Sequence, residues 1–129
     1  MTEDGVIVDT SVFIEFLKGN EQCGSEITKL VEKNRVFFTG IIIAELMQGL
    51  KNLREEQYLA ELITAVNILE ITTDVWIKAG NLSLSLRRKG INLPLTDVAL
   101  AALAIEHNLS IFTLDKHFEQ ISGIKLYKI

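Results

Sequence analysis

The stretch Val6-Ile7-Val8-Asp9-Thr10-Ser11-Val12-Phe13-Ile14-Glu15-Phe16-Leu17 decides the fold. Its first three residues are β-branched and apolar, the composition of a short strand buried on both faces. From Val12 onward the positions Val12, Phe13, Ile14, Phe16 and Leu17 suit a helix that is apolar almost all round. Gly19-Asn20, which tolerate left-handed backbone, stop it. A buried strand that ends at an acid and runs into a helix sets the pattern for the rest of the chain.

Outward from there the two hydrophobic periods alternate. Cys23, Ile27, Leu30 and Val31 line one face of a second helix, and Val36-Phe37-Phe38-Thr39 reads as a second strand. Gly40 opens a helix over Ile41 to Leu50, rich in helix formers, whose end Gly49 leaves uncertain. Tyr58, Leu59, Leu62, Ile63 and Val66 mark an amphipathic helix, and Ile68-Leu69-Glu70-Ile71 a third strand. Thr72-Thr73-Asp74 then cap a helix with the stripe Val75, Ala79, Leu82 and Leu86. That helix ends in Arg87-Arg88-Lys89-Gly90, a cationic last turn followed by a glycine. Pro94 precedes an apolar helix from about Thr96 to His107, Ser110 to Thr113 form a fourth strand, Lys116 to Ile121 a short helix, and Lys125 to Tyr127 a closing strand. Such alternation predicts an α/β fold: a three-layer α/β/α sandwich with a mainly parallel sheet of about five strands. Ligands in open sheets of this kind sit beyond the carboxyl ends of the strands, where strand order reverses.

Composition bounds the rest. At 129 residues, 48% of them hydrophobic, the chain is expected to fold as one domain over 1–129. Its longest apolar run, Val98 to Ile105, is far below the roughly 20 residues that cross a bilayer. The acidic start Met1-Thr2-Glu3-Asp4 lacks a signal peptide's basic segment, so a cytoplasmic location with no membrane association is expected. The lone Cys23 makes neither an internal disulfide nor a thiolate metal cage, and reads as a small packing residue. A net charge of −4 argues against a broad basic surface for nucleic acid. It leaves open carboxylates gathered in one cleft and neutralised by cations.

Four acids stand out. Asp9 closes the first strand and Asp115 lies two residues after Thr113 in Phe112-Thr113-Leu114-Asp115, which directs both toward one edge of the sheet. Glu45 and Asp97 lie in helical stretches whose neighbours are nearly all apolar, so either carboxylate must be paired, protonated or bound to a cation. Capping is the plainer alternative for Asp97 before its helix and for Asp115 before Lys116-His117-Phe118. Asp9 with Thr10 and Ser11 also suits a strand end and helix start.

The run Asp9 to Ile14, the Glu45 helix with Gly49 after it, Leu95-Thr96-Asp97-Val98-Ala99-Leu100-Ala101-Ala102 and Phe112-Thr113-Leu114-Asp115-Lys116-His117-Phe118 together resemble the PIN-domain ribonucleases, and among them the VapC-type toxins of toxin–antitoxin pairs. The likeness spans the whole chain in order and length. It implies a parallel sheet of about five strands, bound Mg²⁺ or Mn²⁺, and endonucleolytic cleavage of RNA. It carries over Asp9, Glu45, Asp97 and Asp115 as an acidic quartet, Thr113 as the hydroxyl beside it, and Ser11 as a small polar residue of the site. An antitoxin protein and a second copy of the chain, as partners, rest on the same likeness.

Electrostatics agrees with a cation. Two like charges roughly 4 Å apart repel by about 4 kcal/mol at an effective dielectric of about 20, so clustered carboxylates need cations to stay ionised. Oxygen donors with no Cys and no placed His favour Mg²⁺ or Mn²⁺ over Zn²⁺. Direct ligation is expected from Asp9 and Asp97, with Glu45 and Asp115 acting directly or through water. An activated water would then attack the scissile phosphate in line, leaving 5′-phosphate and 3′-hydroxyl ends. Thr113 and Ser11 would orient waters or a phosphate oxygen, or else cap a turn. Arg87, Arg88 and Lys89 read first as complements to their own helix end. His117 reads as a solvated side chain, His107 as a helix C-terminal residue, and Trp76 offers no evident stacking platform.

Phe13, Ile14, Phe16 and Leu17 present more apolar surface than one sheet contact needs. Segments 23–31 and 58–66 would extend it into a groove for a partner helix, or pack internally. A phospho-receiver or phosphate-loop enzyme fits poorly, because the chain lacks a Gly-Lys-Ser/Thr loop and a Gly-x-Gly-x-x-Gly turn and carries Ser11 in place of a second Asp. A noncatalytic RNA-binding or scaffold protein on the same fold is the remaining alternative.

Overall fold

The computed structural model describes residues 5–129, so the acidic start Met1–Asp4 lies outside the described residues. Along the chain run β1 (Val6–Val8), α1 (Thr10–Leu17), α2 (Glu21–Glu32), β2 (Val36–Phe38), α3 (Gly40–Gln48), α4 (Leu53–Ala65), β3 (Asn67–Ile68), α5 (Thr73–Arg88), α6 (Leu95–His107), β4 (Ser110–Phe112), a 3₁₀ turn (Lys116–Gln120) and β5 (Lys125–Leu126). Among the described residues the sheet has five strands in the order β3-β2-β1-β4-β5. Every pairing is parallel. The chain moves one way across the sheet from β1 to β3 and then jumps back to β4. Right-handed crossovers therefore lay α1 to α4 on one face and α5 with α6 on the other, the expected three layers.

β1 is the centre of this arrangement. Val6, Ile7 and Val8 are all buried, paired with β2 on one side and β4 on the other. The ring of Phe13 from α1 meets Phe38 from β2 edge to face, centroids 5.2 Å apart, which fixes helix to sheet. α2 approaches α1 closely at Gly24, where a Cβ would come within 2.5 Å of the Phe16 ring. α6 is buried along Val98 to Ala104, as its unbroken apolar run requires, and stops at Asn108 in left-handed conformation (φ 54°).

The structure departs from the sequence pattern where pairing decides. The strand expected over Ile68–Ile71 is instead Asn67–Ile68, because β2 ends at Phe38 and offers Glu70 and Ile71 nothing to pair with. The last bond is Leu69 N–H to the Phe38 carbonyl. α4 begins five residues before Tyr58, at Leu53, because the Asn52 side chain accepts from the Glu55 N–H. The turn after β4 is 3₁₀, anchored by the fully buried Phe118. Among the described residues no helix is long and apolar enough to cross a membrane.

Candidate active site

Because β1 and β4 are paired in parallel with Val8 opposite Phe112, the next residues, Asp9 and Thr113, emerge side by side at the carboxyl edge of the sheet. This is also where strand order reverses, since β1 connects toward β2 while β4 lies on its other side. The Asp9 N–H donates to the Phe112 carbonyl at 2.9 Å, locking the two strand ends together. Asp9 is 6% exposed.

One oxygen of Asp9, Oδ2, accepts from Thr113 Oγ1 at 2.8 Å and from Ser11 Oγ at 2.9 Å. The two hydroxyls are held in turn by backbone: Asp115 N–H donates to Thr113 Oγ1 (2.9 Å) and Leu114 N–H to Ser11 Oγ (3.1 Å). Asp9 occupies the N-cap position of α1 but makes no side-chain capping bond there. Its carboxylate is held by hydroxyls, a different use from that of a helix cap.

Asp97 is the third residue of α6, and the N-cap is Pro94. Capping therefore does not account for Asp97. Its side chain is 17% exposed and lies 3.2 Å from Nδ1 of His117. Burial pushes the Asp97 carboxyl above its ordinary value; the charges of Asp9 and Asp115 push the same way, and the His117 contact opposes them. Asp115 does cap the 3₁₀ turn, accepting from the His117 N–H at 3.0 Å. The same oxygen, Oδ1, is 3.2 Å from His117 Nδ1.

His117, read from sequence as a solvated side chain, is thus half exposed (45%) yet in contact with two of the four acids. The premise of a donor set without a placed His does not hold. The 3₁₀ turn curls the imidazole back over the start of α6, twenty residues earlier in the chain, a contact no local pattern signals.

Glu45 is placed differently. It is half buried on α3 and accepts from Thr10 Oγ1 at 2.8 Å, so it joins the edge through the residue next to Asp9. Among the described residues, Asp97, Asp115 and His117 are the group whose ligand atoms lie mutually within 4.8 Å; Asp9 and Glu45 stand outside that group. Thr10 was legible in the sequence only as a possible cap.

The donor set can be compared with an ion's needs. Adjacent donors of an octahedral ion with bonds of about 2.1 Å lie about 3.0 Å apart, and Nδ1 of His117 stands 3.2 Å from each of the two carboxylate oxygens. A half-buried carboxyl crowded by two others also needs a positive charge. Asp97, Asp115 and His117, with Asp9 beside them, fit a divalent cation.

An open groove of about 560 Å³, lined by Ser11, Ile14, Glu15, Leu114, Asp115 and Lys116, leads to this edge. α5 runs antiparallel to α6, as the contact of Lys78 with Glu106 shows. The exposed turn Arg87-Arg88-Lys89 therefore lies at the Asp97 end of that helix pair.

The sequence signature of the PIN domain matches residues 6–124. Ribonuclease VapC1 of Methanocaldococcus jannaschii is 27% identical over 130 residues, covering 97% of this chain and 88% of that protein. Among solved structures, DNA-bound VapBC from Salmonella typhimurium superposes with a TM-score of 0.82 at 24% identity, covering 97% of this chain and 98% of that one. VapBC2 from Rickettsia felis, bound to a DNA fragment from its promoter, gives 0.80 at 20% identity over 95% and 96% of the two chains. By its matched sequence and its five-stranded parallel sheet, the chain belongs to the PIN-domain family.

Proposed function

We propose that the protein is a divalent-metal-dependent endoribonuclease, the toxin of a toxin–antitoxin pair, acting in the cytoplasm. The observation that carries this reading is the meeting of Asp9, Asp97 and Asp115 at the switch point of the sheet, where burial, with the charges of Asp9 and Asp115 added, raises the Asp97 carboxyl. The name of the Methanocaldococcus relative, a ribonuclease, supports the reaction class, and the two-component VapBC assemblies among the fold's neighbours support the pairing.

Asp9, Asp97 and Asp115 would hold Mg²⁺ or Mn²⁺, with Glu45 acting at the same edge from α3. Such an ion lowers the pKa of water and offsets negative charge developing on a phosphate. The chain's own residues do the positioning. Thr113 and Ser11 fix one oxygen of Asp9, which leaves the rotamer of that carboxylate no freedom to turn away. Thr10 holds Glu45 toward the edge. Arg87, Arg88 and Lys89 supply positive charge at the Asp97 end of the helix pair for an approaching phosphate backbone. With water as nucleophile, the products carry 5′-phosphate and 3′-hydroxyl ends, and the 2′-hydroxyl at the cut is dispensable.

The inhibitory partner belongs on the opposite side of α1. There a groove of about 540 Å³ runs between α1 and α2 past Phe16, Gly24 and Thr28. Two copies of the chain would complete the assembly.

Incubation with structured RNA and Mg²⁺ or Mn²⁺, with and without EDTA, tests the reading beside Asp9→Asn and Asp97→Asn. Cleavage that stops with chelation and in both variants supports it. Metal-independent cleavage, full activity in both variants, or 2′,3′-cyclic phosphate ends would overturn it.

A further inference from the structure

We propose that His117 is a nitrogen ligand of the metal centre, and that it makes this site favour Mn²⁺ over Mg²⁺. The inference rests on the reading of the acidic edge as a metal centre and adds a donor of different chemistry to it. Nδ1 of His117 is equidistant, at 3.2 Å, from Asp97 Oδ2 and Asp115 Oδ1, so a cation bridging those two carboxylates meets the imidazole as well. The ring is not a swinging surface group. The backbone N–H of His117 donates to Asp115 Oδ1 at 3.0 Å, and the neighbouring Phe118 is fully buried, which pins the 3₁₀ turn that carries the ring. Imidazole suits first-row transition ions such as Zn²⁺, Fe²⁺ and Ni²⁺ best; Mn²⁺, at the weak end of that series, still takes a nitrogen among oxygens more readily than the harder Mg²⁺. One nitrogen among oxygens is therefore accepted by Mn²⁺ and disfavoured by Mg²⁺.

The sequence makes the assignment testable, because it contains two histidines. His107 stands ten residues along α6 from Asp97, about 15 Å at helical rise, too far to reach the same ion. Pulsed EPR of the full chain loaded with Mn²⁺ in the absence of RNA reads directly whether an imidazole nitrogen is bound. Wild type is expected to show ¹⁴N coupling. In His117→Ala the coupling disappears while Mn²⁺ stays on the carboxylates, bound about tenfold more weakly; Mg²⁺ affinity changes less. His117→Asp, an all-oxygen site, binds both ions without ¹⁴N coupling and loses the preference for Mn²⁺, and circular dichroism confirms that both variants are folded. Bound Mn²⁺ without ¹⁴N coupling in wild type, or coupling that survives His117→Ala, overturns the role of His117 and leaves the metal centre standing. Failure of wild type to take up Mn²⁺ at all refutes the metal centre itself, and the role of His117 with it.

Discussion

Two acids of this protein sit out of water in different company. Glu26 on α2 is 8% exposed, and its oxygens meet the Tyr127 hydroxyl at 3.0 Å and Lys29 Nζ at 3.3 Å. Asp97 on α6 is 17% exposed; burial raises its carboxyl first, and the charges of Asp9 and Asp115 add to this, with one imidazole in opposition. The first carboxylate is satisfied by neighbours the fold already supplies; the second is left with too much negative charge around it. Burial alone does not mark a site. The sign of what lies nearby does.

The contrast is broken most severely at Asp9, where charge and placement coincide. Asp9→Asn keeps an oxygen for the two hydroxyls but removes a charge from the edge. RNA cleavage is expected to fall about 10³-fold in kcat/KM, roughly 4 kcal/mol, with the melting temperature little changed. Thr113→Val tests placement without charge: the carboxylate loses its 2.8 Å donor, and Mn²⁺ affinity by calorimetry should drop about 10- to 100-fold. On the Glu26 side the expectation is reversed. Tyr127→Phe withdraws a donor from a buried carboxylate and should cost about 1–3 kcal/mol in chemical denaturation, with cleavage by the folded fraction unaltered.

The smallest effect sharpens the comparison by its sign. A carboxyl whose folded-state pKa is raised binds more protons folded than unfolded, so its contribution to stability falls as pH rises through the ordinary carboxylate value toward the raised one. In EDTA at neutral pH, Asp97→Asn should therefore melt above wild type while being inactive. The gap should close at a pH below the ordinary carboxylate value, where Asp97 is protonated in both states. Scanning calorimetry across that range checks it, and equal melting at every pH would count against a raised Asp97 carboxyl.

Parts of this were readable one residue at a time. Val6 to Val8 can only be a strand buried on both faces, and Pro94 with the apolar run after it can only open a buried helix. These are local consequences of chain stiffness and water avoidance. The strand assigned to Ile68–Ile71 was misplaced because its β-branched residues suit a strand, whereas hydrogen bonding needs a neighbour, and β2 stops at Phe38. Glu26 went unremarked because its helix has a polar face, and only the arrival of Tyr127, the residue after β5, encloses it. His117 was misjudged for a related reason: its partner Asp97 is twenty residues away, joined through a turn whose direction depends on where Phe118 finds the core.

The amino-acid sequence by itself determined the alternation of strands and helices, the edge toward which Asp9 and Asp115 are directed, and the family pattern of acids, because hydrophobic period and strand ends are properties of neighbours along the chain. The tertiary structure alone decided that Thr113 and Ser11 share one oxygen of Asp9, that Glu45 hangs from Thr10, and that His117 stands between Asp97 and Asp115. Those contacts join residues up to 104 positions apart. They exist only once parallel pairing has brought β1 beside β4, and distance along the chain carries no information about distance in space.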